Sequence, residues 1–136
     1  RREWCGVESG LDRAEAELWL ARPNVAPVRF AFSDQVRSDG AAVVGALQAQ
    51  GFHVVLLSGD RAPAVRAAAA AAGIDDWHAG QKPADKVNFL QDLAAQGRRV
   101  MMVGDGLNDA PALAAAHVSL SPSSAADVSQ TVADIV

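Results

Sequence analysis

The chain has 136 residues, half of them apolar, with 12 basic and 16 acidic side chains and a net charge of −4. That length suits one ordinary domain or a domain with a piece of another, and the apolar half suffices for a core. The balance argues against nucleic acid as a partner, since no basic patch or aromatic-interleaved basic run is present, and the single cysteine, Cys5, excludes an internal disulfide framework and suits a reducing compartment. No apolar run approaches the roughly 20 residues of a bilayer-spanning helix, so the segment is expected to be soluble, including as a loop domain of a membrane protein.

Residues 1–32 stand apart. They hold Trp4 and Trp19 and two strand-like runs, Glu17–Ala21 and Val28–Phe32, separated by the proline-bounded stretch 22–27. This pattern predicts a hairpin. The opening Arg1-Arg2-Glu3-Trp4 has no start-like character, and we expect the chain to begin inside a larger protein.

From Ser33 the pattern alternates between helices and short apolar strands. Ser38 or Asp39 can cap a helix running to about Gln50, with Gly51 past its end. Phe52–Leu57 reads as a strand that stops at Ser58-Gly59-Asp60. A helix Pro63–Ala72 ends at Gly73, and 77–79 is a short strand. Pro83 opens a helix to about Gln96, stopped by Gly97. A strand at 100–103, a helix from near Asn108, a strand at 117–120, a helix at 125–132 and the start of a strand at 135–136 complete the series. This order implies an α/β fold, a parallel sheet with helices on its faces.

Three loops carry polar groups suited to chemistry. The run Val100–Val103 is expected to be a buried parallel strand, ending in Gly104-Asp105-Gly106-Leu107-Asn108-Asp109. Ligands of open α/β sheets bind beyond the carboxyl ends of strands. Asp105 and Asp109 supply hard oxygens for a divalent cation, typically magnesium beside a phosphate. The plain alternative is helix N-terminal charge with Asn108 as cap. Ser58-Gly59 could hold a phosphate oxygen, or be an ordinary turn. Lys86, one turn into a helix after Lys82-Pro83-Ala84-Asp85, could direct its ammonium at a phosphate, or lie on a solvated face.

These segments together carry a resemblance. Gly104–Leu113 is similar to the hinge-loop signature of P-type ATPases, within the haloacid dehalogenase superfamily. Asp34-Gln35-Val36-Arg37, Leu57-Ser58-Gly59-Asp60 and Pro83-Ala84-Asp85-Lys86 resemble further segments of that family, in its order. The wording of Ala110-Pro111-Ala112-Leu113 and of 121–128 is most similar to the heavy-metal branch, nearest the copper pumps of oxidase assembly.

The resemblance implies a haloacid dehalogenase-like Rossmannoid sheet. It implies residues 1–32 as the end of a nucleotide-binding domain and 33–136 as a phosphorylation domain. Asp105 would bind magnesium. Asp109 would support that metal site and orient Lys86, which would neutralise an aspartyl phosphate. Ser58 and Gly59 would hold phosphate oxygens, with Asn108 near the phosphate. Asp34, Arg37 and Asp60 would lie toward the hinge and nucleotide. ATP would be the parent's substrate. The partners would be its nucleotide-binding, actuator and transmembrane domains, with the transported ion bound elsewhere. The location would be the cytoplasmic side of a bacterial inner membrane.

The family's nucleophile segment, Asp-Lys-Thr-Gly-Thr, is absent from the 136 residues. The resemblance therefore implies a sheet without its first strand and a chain that forms no phosphoenzyme alone. The gap would be filled by a strand borrowed from another copy or by the 28–32 run. Two other readings remain open here: a free-standing magnesium phosphatase and a non-catalytic metal- or phosphate-binding module. Cys5 reads as a free thiol and the tryptophans as packing residues. His53, His78 and His117 lack metal-ligand spacing, and His53 is placed in or beside a strand.

Overall fold

The computed structural model describes residues 16–32 and 35–136; the expectations for Trp4, Cys5 and Asp34 lie outside the described residues. The chain divides into two compact units, the first ending at Gly80 and the second spanning Gln81–Val136.

The first unit begins with a hairpin of β1 (Ala16–Arg22) and β2 (Val25–Phe32), antiparallel, with Leu18 facing Phe30 and Leu20 facing Val28. Its connection is tighter than the expected 22–27 loop. Only Pro23 and Asn24 separate the strands, and Asn24 takes φ 58, a left-handed conformation that asparagine tolerates. Leu18, Phe30 and Phe32 remain exposed. A two-stranded ribbon has no second layer of its own to cover them.

After the hairpin come α1 (Gly40–Ala49), β3 (Val55–Leu57), α2 (Ala62–Ala72) and β4 (Asp76–His78). Strands β3 and β4 run parallel, pairing Val55 with Asp76 and Leu57 with His78. Pro63 sits in the first turn of α2, and Gly73 closes its end with φ 72. Val65 and Ala69 on α2 form the buried apolar centre of this unit. The strand expected over 52–57 is shorter, because the Phe52 N–H donates to the Leu47 carbonyl and finishes α1 instead. His53 lies beside β3, its Nε2 2.8 Å from the Asp76 carboxylate.

The second unit holds α3 (Pro83–Ala95), β5 (Met101–Val103), a 3-10 turn (Leu107–Asp109), α4 (Ala110–Ala115), β6 (Val118–Leu120) and α5 (Asp127–Val132). Strands β5 and β6 are parallel, with Met101 opposite Val118 and Val103 opposite Leu120. Ile135 adds a single parallel bridge to Leu120, the remnant of the strand expected at 135–136. Leu90, Ala112 and Leu113 are buried, as are Ser119, Ser121 and Ser129. The alanines of α4 let helix backbones approach closely in that interior.

Two expectations are corrected. The 100–103 run is not a buried strand: among the described residues β5 pairs with β6 alone, and Met101 and Val103 are 52% and 58% exposed. Val100 and Met102, two residues apart, are half-buried, as the two-residue period of a one-sided edge strand dictates. The 28–32 run does not extend a parallel sheet either: among the described residues β2 pairs with β1 alone, and antiparallel. The described strands form three two-stranded pairs, one antiparallel and two parallel.

Candidate active site

The site is built from the start of α3 and the loop after β5. The Asp85 carboxylate accepts the Lys82 N–H at 2.9 Å, and Pro83 occupies the first turn, so α3 starts sharply. One turn in, Lys86 points inward. It is only 8% exposed, and its Nζ donates to Asp109 Oδ1 at 2.6 Å. The solvated-face reading of Lys86 is thereby overturned. A buried ammonium needs a charge-assisted partner, and Asp109, itself mostly buried, is that partner.

Asp109 reaches Lys86 through a compact turn. Gly104 continues the ladder by donating its N–H to the Leu120 carbonyl, and the Asp109 N–H closes back on the Gly106 carbonyl at 2.9 Å. Gly104 is required by this close return: a Cβ there would lie 2.8 Å from the Asp109 Cβ. A Cβ at Gly106 would meet Asp109 only at 3.5 Å, an ordinary contact. The capping alternative for Asn108 fails. Asp109 holds the N-cap position of α4 without a side-chain cap bond, and Asn108 is exposed in the turn.

Asp105 is exposed, but its backbone is tied down. Its carbonyl accepts the Ala126 N–H at 3.0 Å, and the next carbonyl, of Gly106, accepts the Ser129 hydroxyl at 2.7 Å. Ser129 is fully buried, whereas its apolar neighbour Val128 is 46% exposed. Sequence reasoning missed Ser129, because hydropathy would have turned α5 the other way. It also missed Asp134. One oxygen of that carboxylate accepts both the N–H and the hydroxyl of Ser119, each at 2.8 Å, which holds the Asp134 carboxyl below its ordinary range.

In the first unit, Ser58-Gly59-Asp60 forms an ordered turn at the carboxyl end of β3. The Ser58 N–H donates to the His78 carbonyl at 2.9 Å, and Ser58 Oγ accepts the Asp60 N–H at 3.2 Å. Asp60 Oδ1 accepts the Arg61 N–H at the start of α2, and the Gly80 N–H donates to the Asp60 carbonyl. Gly59 is exposed. Further upstream, the Arg37 guanidinium engages both oxygens of Asp39 at 2.9 Å. That bond raises the Arg37 pKa and lowers that of Asp39. It also corrects the expected cap, since Asp39 makes no side-chain cap bond to α1. The remaining histidines have partners of their own: His78 Nε2 lies 3.1 Å from Asp76, and His117 Nδ1 accepts the Val100 N–H.

The donor set suits magnesium in one respect and limits it in another. Asp105 and Asp109 offer hard carboxylate oxygens, and among the described residues no group of three or more His, Cys, Asp or Glu side chains is placed to hold a metal. Magnesium is satisfied by one or two carboxylates when waters and a phosphate complete its octahedron. One carboxylate on a preset lysine and a second, exposed one in the same loop therefore fit a metal shared with a phosphoryl group, and do not fit a closed all-protein cage.

Comparison with known proteins gives the family. Residues 6–117 match the haloacid dehalogenase-like hydrolase family. The nitrogen fixation protein FixI of Bradyrhizobium diazoefficiens is 56% identical over 141 aligned residues, covering 100% of this chain and 19% of that protein. The copper-transporting ATPase of Helicobacter felis is 45% identical over 76% of this chain and 14% of its own length. A solved zinc-transporting PIB-type ATPase in its E2.Pi state superposes with a TM-score of 0.75 at 36% identity, covering 91% of this chain and 20% of that one. The chain thus spans about a fifth of the length of the relatives it matches. It belongs to the haloacid dehalogenase-like hydrolase family, and its homologues are heavy-metal P-type ATPases.

Proposed function

We propose that this chain supplies the magnesium- and phosphate-binding loops of an ATP-driven heavy-metal transporter, copper being the favoured cargo. The observation that carries the proposal is the buried Lys86–Asp109 pair at 2.6 Å, with the exposed Asp105 in the same loop just beyond the end of β5. Stored positive charge at that place stabilises a developing phosphoryl charge without reorganisation. Asp109 fixes the Lys86 ammonium and keeps a second oxygen for the metal side of the site. Asp105 is the principal metal ligand. Magnesium, when bound, would neutralise phosphoryl oxygens. Ser58, Gly59 and Asn108 enter the proposal as phosphate contacts, and Asp34, Arg37 and Asp60 as hinge and nucleotide residues, on the strength of their motifs.

The domain assignment belongs to the same proposal: residues 1–32 end a nucleotide-binding domain and 33–136 form the phosphorylation domain. So do the parent's actuator and transmembrane domains and its membrane location. Among the described residues no helix is long and apolar enough to cross a membrane. A strand-exchanged oligomer of the isolated chain is a further part of the reading, because β5 has one ladder partner among the described residues.

The test is phosphorylation from labelled ATP. The 136-residue chain alone is expected to give no acid-stable phosphoprotein, since it carries no Asp-Lys-Thr-Gly-Thr segment. A longer chain that adds such a segment is expected to be labelled in a magnesium-dependent way and to lose the label with Asp105→Asn. Turnover of a simple phosphate ester by the 136 residues alone would instead favour a phosphatase.

A further inference from the structure

The loop around Asp105 faces a physical problem. Glycines flank it at 104 and 106, so its backbone has more freedom than any other sequence would leave it. A metal-ligating carboxylate must nevertheless be held to within about half an ångström to act. Part of that freedom is removed by the Gly104 bond to Leu120 and the Asp109 bond to Gly106, and part from outside the loop, by Ala126 and Ser129.

The geometry points to Ser129 as a positioning residue for the Asp105 carboxylate, an inference that rests on the reading of this loop as a magnesium site. Two successive carbonyls, of Asp105 and Gly106, are drawn toward the α5 segment by the Ala126 N–H at 3.0 Å and the Ser129 hydroxyl at 2.7 Å. In a trans peptide the N–H points opposite to its carbonyl. Fixing both carbonyls therefore sets the two peptide planes that follow Asp105, and with them the backbone path from which its Cα–Cβ bond leaves. The Gly106 carbonyl also receives the Asp109 N–H, so one acceptor links the Ser129 hydroxyl to the turn that carries the Lys86 partner. Ser129 is fully buried, and its own N–H is spent on the Ala126 carbonyl, so its hydroxyl serves the loop and not solvent. Removing the hydroxyl leaves the Gly106 peptide held by the turn alone.

The experiment is magnesium titration of the whole 136-residue chain by calorimetry, with thermal melting recorded on every variant. The set is wild type, Ser129→Ala, Ser129→Cys and Asp105→Asn. Ser129→Cys keeps the side-chain shape with a slightly larger atom and weakens the donor, and serves if the alanine variant does not fold. Both Ser129 variants, titrated well below their melting temperatures, are expected to weaken magnesium binding about two- to tenfold, the range one hydrogen bond supports. Asp105→Asn is expected to abolish binding. A lowered melting temperature with unchanged magnesium affinity in both Ser129 variants would make the role merely structural and overturn the inference while leaving the metal site standing. Equal binding by wild type and Asp105→Asn would remove the metal site itself and the inference with it.

Discussion

The two units place the same kind of residue in opposite settings. In the second unit the charged pair is woven into the core: Lys86 is buried against Asp109, and the loop between Gly104 and Asp109 is tied to β6 and to α5. In the first unit the Ser58–Asp60 loop is a turn whose side-chain bonds are local, over one or two residues, and among the described residues the fully buried apolar centre amounts to Val65 and Ala69. The lesson is that a preset charge must be held by the interior that surrounds it, whereas a hydroxyl and a glycine need only a strand end to stand on. Substitutions should therefore disturb folding in one unit and leave it almost untouched in the other.

The largest effect is expected at Lys86. Lys86→Met strands the mostly buried Asp109 carboxylate, and we expect a loss of about 3 kcal/mol in urea unfolding. Adding Asp109→Leu should restore most of it, because an apolar pair replaces an ion pair at little net cost. Next is Gly104→Ala. Its Cβ would collide with Asp109, and the overpacking should cost about 2 kcal/mol while breaking the Lys86 contact. Ser58→Ala, by contrast, removes one 3.2 Å bond in an exposed turn, and a loss of about 0.5 kcal/mol is expected. An equal loss from Ser58→Ala and Lys86→Met would break the comparison.

The smallest expected effect is a slope. The Ser119 bonds lower the Asp134 pKa below 3.8, its ordinary value. The folded state therefore binds this proton less readily than the unfolded one. The resulting stability is present above pH 3.8 and is lost as the pH falls through the depressed folded value. Urea midpoints measured between about pH 2 and 6 should fall less steeply for Asp134→Asn than for wild type.

Much of this fold is legible in the residues because its punctuation is strong. Pro63 and Gly73 frame α2, and Pro83 and Gly97 frame α3, since each glycine takes a left-handed φ that the chain needs there. The acidic loop was legible for the same reason, with Gly104 set between an apolar run and Asp105. What was not legible is tertiary. Hydropathy alone could not tell a lysine on a solvated face from Lys86 buried on a distant carboxylate, nor turn α5 so that Ser129 lies inside and Val128 outside. The bonds of Ser119 to Asp134 and of Ser129 to Gly106 span 15 and 23 residues, separations at which no local pattern speaks. The exposure of Met101 and Val103 depends on which strands flank β5, and a run of four apolar residues reads the same in either case.

The central claim is that the Gly104–Asp109 loop is a magnesium site completed by phosphate. The most direct test is a magnesium titration of the chain followed at individual backbone amides. We expect saturable shifts at millimolar order, the affinity of a site with few carboxylates, confined to 104–109 and its α5 contacts at 126–129 and absent in Asp105→Asn. Shifts of the same size in the Asp105→Asn protein, or shifts spread over both units with no response in the loop, would contradict the claim.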